Sequence, residues 1–318
     1  MAPVPASILR ALSLPDASKA SLSTANLGSG FTSTGVIRAT VPTADGAGEK
    51  ERRYFVKTSA DGQAAEEMFR GEYESLNAIA DSVPGFCPRA LAWGPLEAQD
   101  SKGKSKGFFL ATEFLELGAA VGQVALYACA RGSRDGQAAV RFPVATFCGD
   151  TKQPNRWRDS WAEFYAQERL LTVLETSEKR NGKDAGLREM VERTVGSVVP
   201  ALLGDGHLGM IGRGRGRDHA GGGAWGSVEW ECGPGRIVGS GRKEDEGVAR
   251  WYVWGFGSAF FEAYHRIVPK TEPVEEYEDR VRLYELYHHL NHHAIFGAGY
   301  RSGAVSIMQK LLKKYGDS

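Results

Sequence analysis

The chain has 318 residues, of which 42% are hydrophobic and 25% charged, a composition typical of a globular protein with one large domain or two lobes. Its 39 basic and 39 acidic residues cancel, which argues against a nucleic acid or an anionic membrane surface as partner. The four cysteines have no short paired spacing, so we expect neither disulfides nor a zinc framework. Because no secretory signal or membrane-spanning apolar run is visible, we predict a cytoplasmic protein.

The first part of the chain, residues 1–115, combines strand and helix signals. A helix is predicted over 62–80 because its apolar residues recur at spacings of three and four. The predicted elements are, in chain order, a short helix at Ser7–Leu14, strands at Gly35–Val41 and Arg53–Lys57, the helix, and strands at Arg89–Gly94 and Phe108–Phe114. This order predicts an antiparallel sheet with one helix against it, an α+β lobe.

The remaining residues, 116–318, have mostly helical periodicity and predict a helical lobe. The apolar stripes lie in 157–174, 187–199, 256–264, 281–287 and 307–312. In the first stripe, an aromatic run is most simply explained as core; it consists of Trp157, Trp161, Phe164 and Tyr165.

Two segments do not fit this pattern. Residues 119–140 are mostly small and show little periodicity, and 204–247 contain 15 glycines with interspersed arginines. Such a composition buries too little apolar surface to offset its chain entropy, so we predict that 204–247 is irregular or disordered. The Arg-Gly tract at 212–217 resembles RNA-binding sequences, but it is short and the net charge is zero, so no nucleic acid is expected.

Lys57 and Glu72 are the first candidates for chemistry. A kinase uses a lysine on a central strand to contact the α- and β-phosphates of ATP, and a glutamate on the adjacent helix to hold that lysine. Tyr54-Phe55-Val56-Lys57 has the form of such a strand, and Glu72 falls on the apolar face of the next helix. The alternative is a lysine that ends a surface strand and a glutamate that only borders the apolar face.

Two further segments of the first lobe could contact a nucleotide. The small-residue turn that contains Gly28 and Ser29 could bring main-chain N–H groups close to phosphate, although a plain hairpin turn explains it as well. The main chain of Glu113, Phe114 and Leu115, at the end of the last strand, could meet adenine.

Four histidines near the C-terminus form two pairs at i, i+4 spacing, namely His288 with His292 and His289 with His293. Helical histidines at this spacing can bind zinc. Packing or the lining of a substrate cleft is the simpler explanation, because no glutamate directly follows the first histidine. Cys148 has no visible general base nearby and is best explained as a buried thiol.

Several strings together resemble the fructosamine/ketosamine kinase family. They are Tyr54-Phe55-Val56-Lys57, Met68-Phe69-Arg70-Gly71-Glu72, Cys148-Gly149-Asp150-Thr151, Trp161-Ala162-Glu163-Phe164-Tyr165, Phe260-Phe261-Glu262-Ala263-Tyr264-His265 and Leu283-Tyr284-Glu285-Leu286-Tyr287-His288. The resemblance covers roughly 20–118, 141–203 and 253–313 and looks closest to the protein-ribulosamine and fructosamine 3-kinases.

The resemblance implies a protein-kinase-like two-lobe fold, with ATP and Mg²⁺ bound between the lobes. It implies transfer of the γ-phosphate to the sugar O3 of a ketosamine on a glycated lysine, after which the adduct breaks down and the protein is deglycated. Lys57 would contact the phosphates and Glu72 would pair with it. The helices over 157–176 and 281–293 would line the ketosamine site, with Trp161, His288 and His292 in the cleft.

The catalytic string of the family, Leu-Leu-His-Gly-Asp-Leu-Trp-x-Gly-Asn, is not intact here. The chain has Leu202-Leu203-Gly204-Asp205-Gly206, which leaves Asp205 as the candidate base, and the metal ligands are unassigned. Two interpretations are open: a misassigned reading frame over two segments, which the Gly- and Arg-rich text favours, or a pseudokinase. The sequence therefore predicts a ketosamine kinase, or alternatively a catalytically impaired or binding protein of the same fold.

Overall fold

The computed structural model describes the residues 2–14, 20–25, 32–43, 48–82, 84–85, 87–96, 107–116, 143–158, 160–204, 228–229, 238–239, 262, 265–266 and 270–316. The chain divides into two compact units, Met1–Val121 and Gly122–Ser318.

The first unit is built on a five-stranded antiparallel sheet with the strand order β1-β2-β3-β5-β4. Its strands are β1 (Ala20–Ala25), β2 (Ser33–Pro42), β3 (Glu49–Ser59), β4 (Ala90–Pro95) and β5 (Phe108–Glu113). The predicted antiparallel sheet is confirmed, and β3 is central because it pairs with both β2 and β5.

Two helices pack against this sheet. Helix α1 (Ala6–Ala11) buries Ile8 and Leu9 in a cluster that includes Ile37 of β2 and Val56 of β3. Helix α2 (Gln63–Ser82) contacts β4 and β5. Because side chains alternate between the two faces of a strand, Lys57 lies on the face opposite Val56.

Close approach of two strands requires a glycine in β2. An added Cβ at Gly35 would lie 2.8 Å from the main-chain oxygen of Ser23 in the paired strand β1. A larger side chain at this position would therefore push β1 away from β2.

The second unit begins with a short hairpin of β6 (Thr146–Cys148) and β7 (Thr151–Gln153). One helical run follows, consisting of α3 (Trp161–Phe164), a π-helical segment at Tyr165–Leu171 and α4 (Thr172–Asn181). The hydroxyl of Ser160 accepts a hydrogen bond from the Glu163 N–H and caps the start of this run. Gly182, with a φ of 89°, ends it in the left-handed region that favours glycine.

The remaining described helices pack on α4 and on one another. They are α5 (Ala185–Arg193), the π-helical segment Thr194–Val198, α6 (Val199–Leu203), α7 (Tyr277–Phe296) and α8 (Arg301–Tyr315). Helix α7 packs against α4 and α8 and contributes buried apolar residues along most of its length. The predicted helical character is confirmed over 161–203 and 277–315, whereas the predicted stripe at 256–264 lies outside the described residues apart from Glu262.

Residues 204–247, predicted to be irregular, lie outside the described residues apart from Gly204 and two short paired strands, β8 (Val228–Glu229) and β9 (Val238–Gly239). Among the described helices, none is at once long enough and apolar enough to cross a membrane.

Candidate nucleotide site

The strand β3 and the helix α2 bring Lys57 and Glu72 together, as the sequence predicts. Lys57 Nζ lies 2.8 Å from Glu72 Oε1, and the two side chains are 12% and 22% exposed. The helix presents Glu72 three residues after the fully buried Phe69, so its carboxylate reaches the sheet from the helix face that packs on it. An ammonium ion held in this way, partly shielded from water, can bind a phosphate oxygen.

The three residues proposed to meet adenine begin at Glu113, the last residue of β5. The Glu113 carboxylate accepts a hydrogen bond from the main-chain N–H of Arg89, at 3.0 Å. The ring of Phe114 is half-buried beneath the Arg53 guanidinium, and Leu115 is 47% exposed. Their role in adenine binding stays a prediction.

Three of the predicted site residues lie outside the described residues. These are Gly28 and Ser29 of the small-residue turn and the candidate base Asp205. Within the described ranges, no three His, Cys, Asp or Glu side chains come together in a group that could hold a metal ion.

The three predicted substrate-cleft residues have different surroundings in the second unit. Trp161 is buried, and its indole N–H donates to the Tyr284 hydroxyl at 2.7 Å. His288 is buried as well, with its ring edge-on to Tyr287. His292 is half-buried, and its ring stacks on that of Phe296, which is 61% exposed. A role for Trp161, His288 and His292 in a substrate cleft remains a prediction.

The prediction that Trp157 belongs to the aromatic core is wrong. Trp157 precedes α3 rather than lying within it, and its side chain is 48% exposed. The stripe of apolar residues begins at Trp161, where the helix begins. The apparent extension of the stripe to Trp157 arises because position 157 has the right spacing but lies in the irregular segment between β7 and α3.

Sequence reasoning missed an ionic cluster around Glu168 in the π-helical segment. Glu168 is fully buried, and its carboxylate accepts hydrogen bonds from Arg158 Nη2 at 2.6 Å and from Arg156 Nε at 3.1 Å. The hydrogen bond to Glu168 raises the pKa of Arg158, so this guanidinium stays charged. The available signal in the sequence was the adjacent charged pair Glu168-Arg169, directly before the apolar Leu170 and Leu171.

The β6–β7 hairpin is attached to α7 by buried polar contacts. Gln153 Nε2 donates to the Tyr287 hydroxyl at 2.8 Å, and Asn291 Nδ2 donates to Cys148 Sγ at 3.0 Å. Cys148 is buried, as predicted for a structural thiol. These contacts fix the hairpin on the helix that contains His288 and His292.

A sheet lobe with a strand lysine paired to a helix glutamate, followed in the chain by a helical unit, is the arrangement of the kinase-like phosphotransferases. The Fructosamine kinase family model matches residues 16–203 and 241–314, and the chain belongs to this family. The match is interrupted between residues 203 and 241, a stretch that contains the candidate base Asp205.

Individual relatives agree with this assignment. The chain is 29% identical over 300 residues to ketosamine-3-kinase of Mus musculus, which covers 82% of this chain and 88% of the mouse protein. It is 30% identical over 279 residues to the chloroplastic protein-ribulosamine 3-kinase of Arabidopsis thaliana, covering 82% and 76% of the two chains. A crystal structure of a proposed fructosamine-3-kinase from Thermobifida fusca has the same fold, with a TM-score of 0.66, 20% identity and coverage of 98% and 99%.

Proposed function

We propose that this protein is an ATP-dependent ketosamine kinase that phosphorylates the sugar O3 of ribulosamine or fructosamine groups on glycated lysines. The observation that carries the proposal is the Lys57–Glu72 ion pair at 2.8 Å in the kinase-like sheet lobe. The functions of the mouse and plant relatives support the substrate class.

In this function Lys57 binds the α- and β-phosphates of ATP and offsets their negative charge, while Glu72 restricts the lysine to one position. Asp205 is the proposed base that accepts the proton of the sugar O3. The bond between O3 and the γ-phosphorus forms as the bond between that phosphorus and the β,γ-bridging oxygen breaks, and ADP leaves. The 3-phosphorylated adduct then breaks down and releases the lysine.

Mg²⁺ is the metal that family membership implies, and when bound it would neutralise charge on the β- and γ-phosphates. The residues that the structure describes form no group of three metal-ligating side chains. We therefore assign no step to the metal and no ligand other than the substrate phosphates.

The direct test is phosphate transfer to a synthetic ribulosamine in the presence of ATP and Mg²⁺, followed by ³¹P NMR. The wild type is expected to produce ADP and a sugar 3-phosphate, and Lys57→Met is expected to lose most of this activity. Lys179→Met, which changes an exposed lysine on α4, is the matched control and should retain it. A folded wild type that transfers no phosphate would refute the proposal.

The second candidate is a protein that binds ATP or a ketosamine but does not catalyse transfer. The interruption of the family match between residues 203 and 241 favours it, because the predicted departure from the family's catalytic string falls in this stretch. Calorimetric titration with ATP separates the two. ATP binding without transfer supports the second candidate, whereas turnover of the ribulosamine excludes it.

A further inference from the structure

Residues 113–116, which begin at the last residue of β5, are held in place by contacts on both the β3 and the β4 side. On the β3 side, the Arg53 guanidinium carbon lies 4.6 Å from the ring centroid of Phe114, and the guanidinium donates to the carboxylate of Glu116. The register places Tyr54 opposite Glu113, so Arg53 lies beside the chain where it leaves the sheet. One planar cation thus contacts two residues of the segment.

On the β4 side, Arg89 fixes the start of the same segment. The main-chain N–H of Arg89 donates to Glu113 Oε2, and the main-chain N–H of Glu113 donates to the Arg89 oxygen, both at 3.0 Å. One side-chain contact and one main-chain contact therefore hold Glu113, the last residue of β5, against Arg89.

Beyond the β3 pairing, the segment has main-chain groups that could meet a ligand. In the part of the chain that the structure describes, the main chain of Leu115 and Glu116 makes no hydrogen bond. Main-chain N–H and C=O groups that leave water need partners, and a ligand with alternating donors and acceptors along a flat edge supplies them. The adenine base has such an edge.

The position of the segment relative to Lys57 agrees with this ligand. Arg53 and Lys57 are four residues apart on β3, which corresponds to about 13 Å along the strand. This separation is comparable with the length of a nucleotide, so a base at residues 113–116 and phosphates at Lys57 could belong to one molecule.

We propose that Arg53 is a positioning residue that orders residues 113–116 to recognise the adenine base of ATP. The inference rests on the proposed function, because it assumes that Lys57 binds the phosphates. Arg53 acts through Phe114 and Glu116 and does not itself contact ATP. Its contribution should therefore depend on whether the ligand has a base.

The test compares ATP with inorganic tripolyphosphate, which has the phosphates but no base, in calorimetric titrations of the full chain. Arg53→Ala is expected to weaken ATP binding about fivefold and to leave tripolyphosphate binding unchanged, since a cation–π contact and an exposed ion pair are each modest. Lys57→Met should weaken both ligands. Arg38→Ala is a change on the neighbouring strand β2 that removes an exposed ion pair with Glu51 of β3, and it should change neither.

The outcomes separate the two proposals. Unchanged ATP affinity in Arg53→Ala, or an equal loss for ATP and tripolyphosphate, would overturn the role of Arg53 while the proposed function stands. Failure of the folded wild type to bind ATP would overturn both. If Arg53→Ala does not fold, the same two titrations of Arg53→Met test the role of Arg53. This variant keeps an apolar stem against Phe114 but removes the charge.

Discussion

Lys57 Nζ lies 2.8 Å from Glu72 Oε1, and this ion pair joins the central strand β3 to the helix α2. Both side chains are mostly shielded from water, which strengthens their attraction and makes the loss of one partner costly. The pair therefore contributes to the stability of the first unit as well as to the proposed binding of phosphate.

A double-mutant cycle with Lys57→Met and Glu72→Gln measures this contribution. Each single change is expected to lower the free energy of unfolding by about 2 kcal/mol, with a coupling energy of about 1 kcal/mol. The free energy of unfolding of each variant is measured by urea titration in the absence of nucleotide. The exposed pair Arg38–Glu51 is the control, and its coupling energy should be below about 0.5 kcal/mol. Equal coupling in the two pairs would contradict the argument from burial.

The Lys57–Glu72 contact could be predicted from the sequence because local patterns determine both of its elements. The apolar run Tyr54-Phe55-Val56 places Lys57 on a strand, and helical spacing places Glu72 on the buried face of the next helix. An acidic residue on that face requires a partner, and the short connection from β3 to α2 makes Lys57 the natural candidate.

The surroundings of Trp157 and Glu168 could not be predicted in this way. Whether Glu168 is buried depends on the path of the irregular segment that contains Arg156 and Arg158, and no local periodicity determines that path. The same limit applies to Trp157, which has helical spacing but lies outside the helix. The exposure of both residues is decided by nonlocal contacts.

The buried Glu168 predicts a strong asymmetry between the members of its ionic cluster. Glu168→Ala removes the carboxylate that two guanidinium groups share, and we expect a loss of about 3 kcal/mol in the free energy of unfolding. Arg156→Ala should cost less than about 1 kcal/mol, because its side chain is 69% exposed. Urea unfolding monitored by tryptophan fluorescence gives both values. A loss in Arg156→Ala as large as that in Glu168→Ala would show that burial does not govern this cluster.

Asp184 predicts a specific dependence of stability on pH. The side-chain hydrogen bond from Arg301, followed by the main-chain N–H of Leu187, lowers the pKa of Asp184 from 3.8 to about 2. Because the pKa is lower in the folded state, the stabilisation is complete above pH 4 and is lost as the pH falls towards about 2. Asp184→Asn keeps a capping side chain for α5 but removes the charge.

We therefore expect Asp184→Asn to be less stable than the wild type by about 1 kcal/mol at pH 7, a modest value because the pair is partly exposed. This difference should shrink as the pH falls below 4. Urea unfolding at pH 7, 5, 4 and 3 measures it, and Arg301→Met should reproduce the trend. A difference that is constant over this range would show that the carboxylate of Asp184 is not held by Arg301.

The contact between Gln153 and Tyr287 predicts that replacing both residues lowers the free energy of unfolding less than replacing Tyr287 alone. Tyr287→Phe removes the hydroxyl that accepts from the buried Gln153 amide at 2.8 Å, and the amide N–H loses this acceptor. A buried donor without its partner costs about 1–3 kcal/mol, whereas replacing both polar groups avoids most of that cost. We expect Tyr287→Phe to destabilise the protein by about 2 kcal/mol.

The double variant Gln153→Met, Tyr287→Phe should recover part of this loss, because the amide is gone and the methionine has a similar length. In this variant the buried Thr146 hydroxyl loses the Gln153 oxygen as its acceptor, which limits the recovery. Tyr165→Phe is the control, since Tyr165 donates to the main-chain oxygen of Leu283 within α7, where the helix supplies that oxygen with another donor. Additive losses in the double variant would mean that Gln153 and Tyr287 stabilise the protein independently and that their hydrogen bond does not attach the hairpin to α7.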